Sequence, residues 1–116
     1  MKSWSMAKDN DIFLGHISES IKAIKKYTRG VSKSSFSSSE EKQDSIIRRL
    51  EIIGEAVRNL DKEFKKKYNK IEWAKIAGMR DVLIHDYFGV DVNLVWTTVK
   101  KDIPKLEKYI KEIFNE

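Results

Sequence analysis

The chain has 116 residues, no cysteine, 41% hydrophobic and 35% charged residues, and a formal net charge of +5. That length supplies one domain with a single core, and the balance of apolar and charged residues, with one proline and five glycines, describes a soluble helical chain rather than a disordered or fibrous one. Disulfides, thiol nucleophiles and cysteine-ligated zinc are excluded, and His16 and His85, the only histidines, are too few for a histidine-rich metal site. No apolar run approaches the ~18 residues of a spanning helix, and no secretory signal is expected. The positive charge suits a polyanionic partner and equally suits a solvated lysine-rich surface.

Residues 1–8 carry no helical pattern and read as an N-terminal extension of a helical domain over 9–116. From Asp9 to Thr28, Phe13, Ile17, Ile21, Ile24 and Tyr27 step by three and four, the period of an amphipathic helix. Asp9 or Asn10 is its expected cap and Gly30 its stop. His16 lies off that stripe and reads as a flanking residue rather than a ligand.

Residues 31–39 form a serine-rich linker. Ser37 before Glu40 and Ser38 before Glu41 each make a capping-box pattern that starts the next helix. That helix carries Ile46, Ile47, Leu50, Ile53, Val57 and Leu60 at helical spacing. Gly54 inside it loses about 1 kcal/mol of propensity against alanine, so it marks a point where another backbone crosses closely. Glu55 is either a surface carboxylate or a supporting partner for the active segment.

Asp61 to Asn69, with the adjoining Lys70, holds a basic cluster, Lys62, Lys65, Lys66, Lys67 and Lys70, with Phe64 and Tyr68 four apart. One reading is a short helix with its aromatic pair buried and its lysines in water. The other makes Lys65, Lys66 and Lys67 an RNA phosphate track, because clustered lysines release counterions on meeting a polyanion. Trp73 and Ile76 are expected to anchor the following segment in the core, with base stacking by Trp73 as the lesser alternative. A final helix runs from the cap Asp91 to about Phe114 through Leu94, Val95, Thr98, Leu106, Tyr109 and Ile113. Pro104 within it removes a backbone donor and is expected to kink it. No strand alternation, internal repeat or phosphate-cradling glycine loop appears. The pattern predicts an all-α fold, an antiparallel bundle of four longer helices and a short one.

The chemistry concentrates in Gly78-Met79-Arg80-Asp81-Val82-Leu83-Ile84-His85-Asp86-Tyr87. If residues 79–86 are helical, Asp81 and His85, four apart, share a face, and Arg80 and Tyr87, seven apart, share a neighbouring stripe. Arg80 and His85 then flank one ridge, about 140° apart. Histidine titrates near neutrality and can move a proton. Arginine keeps its charge and offers paired planar donors to phosphate oxygens. The same two residues at a helix end also serve simply to satisfy carboxylates or carbonyls.

Arg80, four residues, His85, one residue, Tyr87 resembles the R-x4-H-x-Y signature of HEPN-domain ribonucleases, specifically the HepT-like toxins. Phe13 to Ile17, Arg49 to Ala56, Ile71 to Trp73 and Val90 to Trp96 resemble flanking blocks of that family, and the likeness runs over about residues 8–114. The resemblance implies a HEPN-like bundle that cleaves RNA without a metal, with Arg80 and His85 catalytic, to leave a 2′,3′-cyclic phosphate and a 5′-hydroxyl. Asp81, which would orient His85, stands where the family most often has asparagine. One histidine supplies one proton-transfer group, which favours a homodimer with two motifs lining one cleft, and larger toxin–antitoxin assemblies are compatible. Tyr87 is the position at which an MntA-type nucleotidyltransferase antitoxin attaches AMP in that family. No cofactor is implied, and a prokaryotic cytoplasmic location is. The alternative is a non-catalytic helical subunit that docks a nucleotidyltransferase and binds nucleotide or RNA.

Overall fold

A computed structural model describes the backbone of residues 2–85 and 89–116 and the side chains of 9–83 and 89–116. The first helix, α1 (Lys2–Thr28), begins earlier than its pattern suggests, so residues 2–8 continue the helix. Asn10 is consequently not a cap. It is buried inside α1, where its Oδ1 accepts the Asp61 backbone N–H at 3.0 Å and ties α1 to a distant turn. The buried stripe is Leu14, Ile17, Ile21, Ile24 and Thr28. Phe13 is only partly buried and Tyr27 is exposed, so the true face lies one residue round from the expected one at both ends. Gly30, at φ +69°, stops the helix as expected in a conformation that favours glycine.

The serine-rich segment is not a plain linker. It folds as α2 (Lys33–Ser37), with the Ser32 side chain accepting the Ser35 N–H at 3.0 Å. Phe36 is fully buried against Trp96, ring centroids 5.3 Å apart. A five-residue helix has little stability alone, so Phe36 is the reason it forms. Ser39, rather than Ser37 or Ser38, caps α3 (Glu40–Asn59) by accepting the Lys42 N–H at 3.2 Å. Every expected core position of α3 is buried: Ile46, Ile47, Leu50, Ile53, Val57 and, at its end, Leu60. α1 packs along α3 to make the centre of the bundle.

The short α4 (Lys62–Lys67) follows, capped by Asp61, with the Phe64 and Tyr68 rings 4.8 Å apart. The Tyr68 hydroxyl donates to Glu116 Oε1 at 2.7 Å. That bond, aided by partial desolvation and opposed by Lys67, holds the phenol above its ordinary pKa. Trp73 opens α5 (Trp73–Ala77), is 7% exposed, and donates Nε1–H to the carbonyls of Lys65 and Tyr68. It is a core anchor, as expected, and its ring is not available for base stacking.

Gly54 lies where α5 crosses α3, as its sequence context suggests. A Cβ there would stand 3.3 Å from the Ala77 carbonyl oxygen and 3.4 Å from that of Ile76. Gly54→Val is therefore expected to lower stability by about 1–3 kcal/mol through overpacking, read from urea denaturation. An unchanged midpoint would mean that α5 is not held there.

The active segment is not one long helix. Gly78 ends α5, and α6 (Met79–Leu83) follows. Two-residue strands β1 (Ile84–His85) and β2 (Gly89–Val90) then pair antiparallel, Ile84 opposite Val90 and His85 opposite Gly89. A ladder this short has no room to show a period of two, which is why the sequence gives no strand signal. Asp91 caps α7 (Val92–Thr97), accepting the Leu94 N–H at 3.0 Å. A π-helical turn over Thr98–Asp102 joins α7 to α8 (Ile103–Phe114), completing the final helix between its expected ends. Pro104 sits in the first turn of α8, just after the π turn. The wide turn accommodates the proline ring and its missing donor. It also shifts the apolar register, so the buried face is Val95, Thr98, Val99, Ile103, Leu106 and Ile110. α8 packs on α1, where Lys25 Nζ and Glu107 Oε2 lie 3.1 Å apart. Among the described residues, no helix is long and apolar enough to cross a membrane. The architecture is the expected all-α HEPN-like bundle, with one minimal ladder added.

Candidate active site

Three constraints place α6 against α3. Gly54 admits the end of α5, the Trp73 indole fixes its start, and the Gly78 N–H bonds to the Ala74 carbonyl at 3.0 Å. The chain then turns directly into α6, where the Asp81 N–H returns to the Gly78 carbonyl at 3.1 Å. Arg80 consequently leaves the core side and reaches across to α3. Its Nε stands 3.6 Å from Glu51 Oε2, and its Nη1 is 3.8 Å from Asp81 Oδ1. The Arg80 side chain is 51% exposed, so these partners orient it without withdrawing it from solvent. An open groove of about 400 Å³ runs here, lined by Arg48, Glu51, Gly54, Glu55, Arg58 and Arg80 among others.

His85 follows five residues later, and its backbone is fixed by β1 opposite Gly89. Gly89 has φ +75°, a conformation costly for residues with a Cβ, and the Asp91 N–H bonds to the Leu83 carbonyl at 2.9 Å beside the same strand pair. The helix ends at Leu83, so the expected helical alignment of Asp81 with His85 does not apply: His85 stands on extended backbone. Asp81 is instead a largely exposed carboxylate beside Arg80. Tyr87 lies outside the described residues.

The basic cluster is partly engaged within the fold. Lys65 Nζ donates to the Val57 carbonyl at 3.2 Å, Lys66 is 3.8 Å from Glu63, and Lys67 lies over the Tyr68 ring at 5.2 Å. Glu55 pairs with Arg58 at 3.5 Å on the surface, the first of its two expected roles. His16 is exposed and meets the edge of Phe13, a flank residue as expected. Sequence reasoning assigned no role to Glu51 or Arg48. The signal was present: Arg48, Glu51, Glu55 and Arg58 sit at i, i+3, i+7 and i+10, one face of a helix.

An all-α HEPN-like bundle carrying an exposed arginine ahead of a histidine on a paired strand defines the class. The family model described as ribonuclease HepT-like matches residues 17–113. The chain is 53% identical over 111 residues to a Methanocaldococcus jannaschii protein whose name joins gamma-glutamylcyclotransferase to a provisional RNase, covering 96% of this chain and 50% of that protein. It is 45% identical over 104 residues to a provisionally named RNase of Caldanaerobacter subterraneus subsp. tengcongensis, covering 90% and 93%. It is 44% identical over 102 residues to the "Probable ribonuclease HepT" of Thermococcus cleftensis, covering 88% and 93%. The chain thus spans half the length of the first of these relatives and nearly all of the other two. No solved structure matches it. The chain belongs to the HepT-like ribonuclease family.

Proposed function

We propose that this chain is a metal-independent endoribonuclease toxin of a toxin–antitoxin pair. The observation that carries the reading is Arg80, exposed on an open groove and oriented by Glu51, five residues before His85 in a chain of a ribonuclease family. In the proposed reaction the ribose 2′-oxygen attacks the adjacent phosphorus and the bond to the 5′-oxygen breaks. His85 takes the 2′-hydroxyl proton or supplies one to the leaving oxygen. Arg80 holds the charge that builds on the phosphoryl oxygens, and Asp81 supports it from the same helix. The products are a 2′,3′-cyclic phosphate and a 5′-hydroxyl.

Two proton transfers and one histidine per motif support a homodimer that brings two motifs to one cleft. Val82, 57% exposed on α6, offers apolar surface beside the site, at an open groove of about 380 Å³. Tyr87 is the proposed site at which a nucleotidyltransferase antitoxin attaches AMP. A nucleotide linked two residues from His85 would place negative charge and bulk where the RNA phosphate must lie.

The test is incubation of total RNA with purified protein in excess chelator, beside His85→Ala. Cleavage by the unaltered protein alone, with cyclic-phosphate ends, is the expected result. Equal cleavage by both proteins would remove His85 from the chemistry. Cleavage by neither, from protein whose intact mass carries no AMP, would replace the enzyme with the docking-subunit reading.

A further inference from the structure

We infer that Arg48 and Arg58 bind the RNA phosphates on either side of the one held by Arg80, so that the exposed face of α3 is the track for the substrate strand. The inference rests on the ribonuclease reading for the role of Arg80, and the track itself rests on geometry. Arg48 and Arg58 are ten residues apart on one helix, which separates their backbones by about 15 Å. Glu51 and Glu55 lie between them on the same face, and Arg80 reaches that face at Glu51. Three guanidinium groups therefore border one open groove, one from α6 and two from α3.

The groove's lining sets three arginines against two glutamates, Glu51 and Glu55, so a positive excess is left for phosphate. The Arg58–Glu55 pair is 3.5 Å long with side chains 49% and 68% exposed, and ion pairs so exposed are worth at most about 1 kcal/mol. A phosphate can displace or share such a partner at little cost. Arg48 is ion-paired to no carboxylate among the described residues. Guanidinium offers two parallel donors to a phosphate and is less strongly hydrated than ammonium. The competing lysine path on α4 begins with less: Lys65 is already committed to a backbone carbonyl. A single strand suits the groove better than a duplex, since the arginines of α3 follow one helix along one open groove rather than a surface spanning two grooves of a duplex.

The experiment measures binding of a fluorescein-labelled single-stranded RNA oligonucleotide by anisotropy over a range of salt. The full chain is used in a His85→Ala background so that the probe survives. Adding Arg48→Ala and Arg58→Ala together is expected to weaken binding about tenfold or more at low salt. It should also reduce the slope of log affinity against log salt by about 1.4, two contacts at roughly 0.7 each for a single strand. Restoring both positions as lysine should recover the slope, which a merely structural role would not predict. Both residues are exposed, and an unchanged melting curve verifies that the fold is kept.

Unchanged affinity and slope in the double alanine variant overturn the track. So does loss of binding that appears only when Lys65, Lys66 and Lys67 are neutralised. The two readings fail separately. If the unaltered protein cuts RNA but the arginine variants bind normally, the track is wrong and the enzyme stands. If the arginines govern binding but the unmodified protein cuts nothing, the track stands and the enzyme is wrong.

Discussion

Arg80→Ala is expected to slow RNA cleavage by about 10²–10³-fold, the usual consequence of removing one donor aimed at charge that develops in a transition state. The variant should fold normally. Arg80 is half exposed, and its two carboxylate contacts, at 3.6 and 3.8 Å, are also to exposed groups, so their loss is worth at most about 1 kcal/mol each. The separation of a large kinetic effect from a small stability effect is what marks a residue acting on substrate. Arg80→Lys should fall between, because it keeps the charge and loses the planar fork. The measurements are single-turnover cleavage of a defined RNA and the thermal midpoint of each variant. Full activity in Arg80→Ala would remove it from the chemistry, and a collapse in the midpoint would make it structural.

Phe36→Ala is expected to have the largest effect on stability, about 3–5 kcal/mol for deleting a fully enclosed phenyl ring. The whole domain has only about 5–15 kcal/mol to lose. Phe36 is 0% exposed, its ring tilts against Trp96, and its carbonyl accepts from Gln43 Nε2 at 2.9 Å. Removing the ring empties the space between α2 and α7 and withdraws the one buried side chain that holds α2 in place. Phe36→Leu should cost less, since much of the volume remains. Urea denaturation gives the difference directly. A loss below about 1 kcal/mol would show that the serine-rich segment contributes little and that α2 is only loosely attached.

Local pattern and chemistry were legible where each acts within a few residues. The α3 stripe from Ile46 to Val57 is buried as its spacing requires, and Asp91 caps the final helix. Gly54 could be read because a glycine that opposes helix propensity needs a steric reason, and Ala77 supplies it. The R-x4-H-x-Y residues and their flanking blocks point to the HepT-like family to which the chain belongs.

The rest was decided by contacts that sequence distance hides. Phe36 turned a polar linker into a helix because Trp96 stands opposite, some sixty residues away. Asn10 became a buried brace because α1 extends past its apparent cap to meet the backbone of Asp61. The π turn at Thr98–Asp102 moved the buried face of the last helix by one residue, which an ideal 3.6-residue period cannot anticipate. The pairing of His85 with Gly89 ended α6 at Leu83. The sequence by itself determined which groups this protein has for its chemistry, since that depends on residue type and short spacing. Only the tertiary structure decided which of them share a surface, because the approach of α6 to α3, and with it Arg80 to Glu51, follows from packing between elements and from no local rule.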